Sequence, residues 1–234
     1  PSLSTQAAKK DLQQFGDILS HALRIVFFIT LPATVGLIIL GKPIIRVLFE
    51  RGAFDAVSTL MTNRALIFYS LGLLAFSGIR VLVSAFYALQ DTKTPVKIAV
   101  VAFLTNLIFS LLLMGPLKHG GLAFALSLAS FIQFCLLVFF LKRKVHVVNL
   151  RPVVSSALKC AFAAAIMGIG IFYVHSAWLT VDSDSGLSIM SMKLAGLIGI
   201  GVVLYMMVTR ILGCRELGSL WDTFSPIIRR VKRV

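Results

Sequence analysis

An all-α, polytopic transmembrane helix bundle of six spans is the fold class this sequence predicts, and three observations carry the prediction. The 234 residues are 58% hydrophobic and only 14% charged, against about 45–50% and 25% in soluble domains. Six apolar runs recur, each long enough to cross a hydrocarbon core of about 30 Å, which takes about 20 helical residues. The Lys and Arg behind the net charge of +14 sit in short segments between those runs, which is how membrane proteins set their orientation. This spread argues against a nucleic-acid partner, which would need cations gathered along a phosphate backbone.

Residues 1–21 read as a polar N-terminal segment, with Lys9, Lys10, Asp11 and Asp17 in water or at the interface. The first span follows at about 22–40, with Arg24 at its entrance and Pro32 inside it. A proline there frees a carbonyl one turn back, so Pro32 is either a static kink or a hinge. Residues 42–61 are amphipathic: Ile44, Ile45, Leu48 and Phe49 recur at roughly helical spacing between Lys42, Arg46, Glu50 and Arg51. They predict a short helix in the interface plane, stopped by Gly52, that either covers the bundle end or gates it.

The second span, about 65–89, carries the one charge buried in an apolar run, Arg80. A guanidinium near the middle of a span costs from about 3 to above 10 kcal/mol, so it faces a protein interior or a wet cavity, or snorkels. Arg80 lies nine residues before Leu89, about 14 Å at a rise of ~1.5 Å per residue, a long reach to the headgroups. That depth makes it a candidate cavity residue, with snorkelling and an ion pair to a neighbouring helix as the alternatives.

Thr94 as cap and Pro95 in the first turn open the third span, about 96–114. Lys97 stands at its entrance, and Asn106 and Ser110 share one face at i and i+4. Such residues either join helices or line a cavity. The fourth span, about 122–141, carries Ser127, Ser130 and Gln133 and closes on Lys142-Arg143-Lys144. Residues 22–144 thus form a four-span part. Residues 145–214 hold two terminal spans, about 153–174 and 189–212, rich in Ala and Gly that let helices approach closely. Tyr173 and Trp178 sit where an aromatic belt would lie. Residues 181–186 form an acidic loop, and 215–234 a basic tail ending in Arg229, Arg230, Lys232 and Arg233.

With the N-terminus inside, sixteen of the 23 Lys and Arg fall on the inner side and six on the outer, and Arg80 is the remaining one. The positive-inside rule therefore places both termini in the cytoplasm. Cys135, Cys160 and Cys214 lack metal-type spacing, and no two of His21, His119, His146 and His175 stand at i, i+3 or i+4. No metal site, cofactor or hydrolytic chemistry is expected from them. The chain starts at Pro1, without an initiator Met or a signal peptide, which suggests the later part of a longer sequence.

Several strings, in order and spacing, resemble the MurJ/MviN lipid II flippases of bacteria: LPATVGLIIL at 31–40, LFERGAFD at 48–55, MTNRALIFYSLGL at 61–73, FYALQDTKTPVKIAV at 86–100 and GPLKHGGLAFALSL at 115–128. The resemblance runs from Pro1 to about Lys144; beyond it, two hydrophobic spans correspond. It implies the last six spans of a fourteen-span exporter of the multidrug/oligosaccharidyl-lipid/polysaccharide superfamily, a transporter and not an enzyme. It further implies a bacterial inner-membrane location, an undecaprenyl-linked peptidoglycan precursor (lipid II) as cargo, and an N-terminal lobe as partner. By the same resemblance Arg80 takes the place of a cationic cavity residue, and the last two spans form a groove for the polyprenyl tail among membrane lipids; Asn106, Ser110 and Lys97 are further cavity candidates by their own positions on the third span. An inactive or partner-dependent membrane fragment, and a sister exporter of another lipid-linked saccharide, are the competing readings.

Overall fold

The computed structural model describes residues 12–145, 149–179, 187–214 and 216–218. Helix α1 (Leu12–Phe49) is its spine. At 38 residues it runs about 57 Å, well beyond a hydrocarbon core of about 30 Å. Phe15, Leu19 and Leu23, at i, i+4 and i+8, are fully buried. That stripe extends the helix back through half of the segment read as polar.

The helix also absorbs the start of the amphipathic stretch, correcting the expectation of a separate interfacial helix there. Gly41, Pro43, Ile45 and Val47 are buried in alternation with exposed Lys42 and Arg46. On a helix, alternating positions face opposite ways. A Cβ on Gly41 would meet Asn63 and Leu66 of the next helix, whereas Val47 belongs to the core on the other side. The pattern is that of a helix covered on two flanks. α1 ends at Phe49, and Gly52 (φ +58°) turns the chain three residues later.

Helix α2 (Ala56–Ala88) is capped by Asp55, whose Oδ1 accepts from Ser58 N at 2.8 Å. Then come α3 (Lys93–Leu117), α4 (His119–Lys144), α5 (Arg151–Leu179) and α6 (Leu187–Ile211). These six helices, among the described residues, are each long and apolar enough to cross a membrane, so the chain is a multi-pass membrane protein. Across the bundle they run α3, α4, α2, α1, α5, α6, with α6 also reaching α1.

Close packing of α2 on α4 rests on small residues. A Cβ on Gly72 would come within 3.0 Å of Ser127 Cα, and one on Gly78 would strike the Phe134 ring. Ser127 Oγ donates to Phe68 O across the gap at 2.7 Å. Apolar cores lie on both sides of α1. One joins Phe15, Leu19 and Leu23 to Leu82 and Phe86 of α2 and to Leu137 and Leu141 of α4. The other joins Phe28, Leu40 and Val47 to α5 and α6.

The α2–α3 turn corrects the expected cap. Asp91, and not Thr94, accepts the bonds: Oδ1 from Thr94 N at 3.1 Å, and Oδ2 from Thr94 Oγ1 and Lys144 Nζ, each at 2.7 Å. The carboxylate thereby ties this turn to the end of α4. Lys144, with Thr94 behind it, holds the Asp91 carboxyl down at about 2. Because the folded value lies below the unfolded one, the contribution is complete above about pH 4 and is lost as pH falls towards 2. Asp91→Asn should cost about 1–2 kcal/mol at neutral pH. Thermal unfolding in detergent should show that deficit shrinking across the same acid window.

The expectations for residues 1–11, the acidic loop at 181–186, the side chain of Trp178 and the tail at 219–234 fall outside the described residues.

Candidate functional site

Where α1, α5 and α6 diverge they leave an apolar cavity of about 490 Å³. Phe28, Pro32, Gly36 and Leu40 line it from α1, Met167 and Ile171 from α5, and Gly201 and Tyr205 from α6. It is open enough to admit a chain and offers almost no polar surface, which suits a hydrocarbon guest. Of the glycines Gly196, Gly199 and Gly201 that suggest a small-residue face on the sixth span, Gly201 lines this cavity against Ile171, whereas a Cβ on Gly199 would meet nothing within 4 Å.

Pro32 shapes this cavity through the bond it cannot make. α1 continues unbroken past it, but without an N–H it leaves the carbonyl of Phe28 without its helical donor. Tyr205 Oη of α6 supplies the replacement, donating to Phe28 O at 2.8 Å in a buried contact. The Phe28 and Tyr205 rings also meet at a tilt of 55°, with centroids 5.2 Å apart. The position expected to be a kink or hinge is therefore latched to α6. Tyr205→Phe should strand a buried carbonyl and cost about 1–2 kcal/mol, read as a lower Tm with the helical content unchanged.

The other expected site residues lie on α2 and α3, on the far side of α1 from this cavity. Arg80 is exposed: Ala75, Gly78, Leu82 and Phe86 of α2 are buried, and Arg80 stands on the opposite face. The six-helix bundle therefore does not itself shelter the guanidinium, contrary to the expectation of enclosure. Ser77, Ser84 and Tyr87 share that face, at i−3, i+4 and i+7 from Arg80. On α3, Lys97 is exposed, and Asn106 and Ser110 are half-buried. Asn106 Oδ1 is itself buried without a hydrogen-bond partner. None of these four candidates lines the apolar cavity, so the structure holds two separate candidate regions, one cationic and one apolar. α3 packs chiefly on α4 and barely on α2, which leaves the Arg80 face open.

A family model described as lipid II flippase MurJ matches residues 1–187. This chain belongs to the MurJ family. A curated MurJ relative from Vibrio cholerae, named "Probable lipid II flippase MurJ", is 32% identical over 92% of this chain and 41% of its own length. One from Rhizobium meliloti, with the same name, is 32% identical over the whole chain and 42% of its length. Among solved structures, "Lipid II flippase MurJ, inward closed conformation" superposes with a TM-score of 0.71 at 29% identity, over 90% of this chain and 41% of that one. The chain thus spans about two-fifths of these MurJ proteins.

Sequence reasoning missed Tyr205, Asp91 and Glu216. Pro32 did signal that the Phe28 carbonyl needed a donor, but nothing in the sequence pointed to a tyrosine 177 positions away.

Proposed function

We propose that this chain is the C-terminal lobe of a lipid II flippase, which carries the undecaprenyl-linked peptidoglycan precursor from the inner to the outer leaflet by alternating access. The observation that carries the reading is the MurJ family match over residues 1–187. The geometry supports it with an apolar cavity and a separate cationic helix face, as an amphiphilic cargo requires.

In this reading Arg80 faces a wet cavity completed by an N-terminal lobe, the partner needed for transport. Its planar guanidinium suits the pyrophosphate of the cargo. Lys97, Asn106 and Ser110 extend the polar lining along α3. The cavity between α1, α5 and α6 takes the polyprenyl tail, and Pro32 serves as the hinge on which α1 bends when the Tyr205 latch opens. The protein sits in the bacterial inner membrane with both termini in the cytoplasm, as the distribution of Lys and Arg supports. Expression of the intact protein in a flippase-depleted bacterium tests the function: restored growth and cell shape are expected, and continued lysis with the protein present in the membrane would reject it.

A further inference from the structure

A second pocket, polar and of about 260 Å³, lies at the other end of the α1–α5–α6 junction, beyond the Phe28–Tyr205 contact. Glu216 is its centre, only 3% exposed. Its Oε1 accepts from Ser156 Oγ of α5 at 2.9 Å, and Arg24 Nε of α1 lies 3.4 Å from the same oxygen. Oε2 has no hydrogen-bond donor among the described residues. Lys159 Nζ spends one N–H on Leu212 O at 3.3 Å. Arg24 offers Glu216 only its Nε, not the two-pronged fork of a closed Arg–carboxylate pair; its Nη2 reaches His21 Nδ1 at 3.5 Å, which leaves Nη1 without a partner among the described residues.

The pocket therefore holds spare cationic donors and a spare anionic acceptor side by side. A site for a bare anion would not place a carboxylate in its wall. We infer that this pocket binds the phosphoethanolamine head of a phospholipid, with its phosphate on Arg24 and Lys159 and its primary ammonium on Glu216 Oε2. The route for the acyl chains is present as well. Ser155 and Lys159 also border a shallow groove of about 550 Å³ floored by Leu150, Val154 and Leu158, with Lys142 and Arg151 at its rim. Val154, Leu158 and Phe162, at i, i+4 and i+8 on the outer face of α5, are 55%, 67% and 59% exposed and continue that floor along the helix. This lipid is distinct from the cargo proposed for the apolar cavity, and its binding does not depend on transport.

The test places the intact protein in nanodiscs holding equal phosphatidylethanolamine and phosphatidylglycerol of identical acyl chains, and reads the retained lipid by native mass spectrometry. The ethanolamine lipid should be retained about tenfold over the glycerol lipid, the worth of one charge-assisted hydrogen bond. Glu216→Gln should bring that ratio close to one, and Lys159→Gln should reduce retention of both lipids. Equal retention by the unsubstituted protein, or preference for phosphatidylglycerol, would overturn the inference. Because Glu216→Gln also unpairs Arg24, Ser155→Trp at the exposed mouth supplies an independent arm. It should expel the ethanolamine lipid with Tm unchanged, and undiminished retention there would equally overturn the assignment.

Discussion

Arg80→Ala in the intact protein should abolish rescue of a flippase-depleted strain while leaving its level in the membrane unchanged or slightly raised. The second half of that result makes the first interpretable. Arg80 is exposed on α2, and no hydrogen bond or ion pair from its guanidinium is found among the described residues. A cation in the middle of a span costs about 2.5–3.5 kcal/mol on insertion scales, so the alanine variant is relieved of a cost and loses no native contact in this lobe. If the guanidinium holds a pyrophosphate in a water-poor cavity, its removal weakens binding by about 2–5 kcal/mol, a loss of at least about thirtyfold. Lys at the same position should rescue only in part, because it keeps the charge and loses the fork. Growth of the alanine variant at the normal rate would take Arg80 out of the mechanism.

Gly36→Trp should have the next largest effect, and for the opposite physical reason. A Cβ at Gly36 meets nothing within 4 Å, and the residue lines the apolar cavity between α1, α5 and α6. An indole placed there fills space without displacing a neighbour, so the fold is kept while the room for a hydrocarbon tail is lost. Rescue should fail, and a photoreactive polyprenyl lipid should no longer label α5 or α6. The contrast with Gly201, where a Cβ would strike Ile171, is a useful control: there the same substitution perturbs packing first. Full activity of Gly36→Trp would mean that the cavity does not take the tail.

The six spans were legible because each is a long apolar run between charged segments, and lipid imposes that requirement on every crossing helix. Their ends were not legible, since a hydropathy run stops at its last apolar residue while the helix goes on. In α1 the positions from Gly41 to Val47 alternate between two neighbours, and in sequence this looks like the single apolar face of an interfacial helix. Arg80 was legible as an anomaly, but which way α2 turns it depends on the partners of α2. Gly72 and Gly78 let α4 approach closely, and Leu82 and Phe86 pack with α1 on the face away from Arg80. Glu216 was hidden in a stretch read as a basic tail, although it is the buried partner of Arg24 and Ser156. Long-range polar pairs of this kind leave no local pattern.

The central claim is that the face of α2 bearing Arg80 looks into water inside the assembled transporter and not into lipid. Ser84→Cys, one turn beyond Arg80 on the same exposed face, in the intact protein on a background without Cys135, Cys160 and Cys214, measures this directly through its reaction with a membrane-impermeant maleimide while Arg80 stays in place. The account predicts labelling that slows when lipid II is added. Refusal of the aqueous reagent, together with ready reaction with a lipid-soluble maleimide, would contradict it.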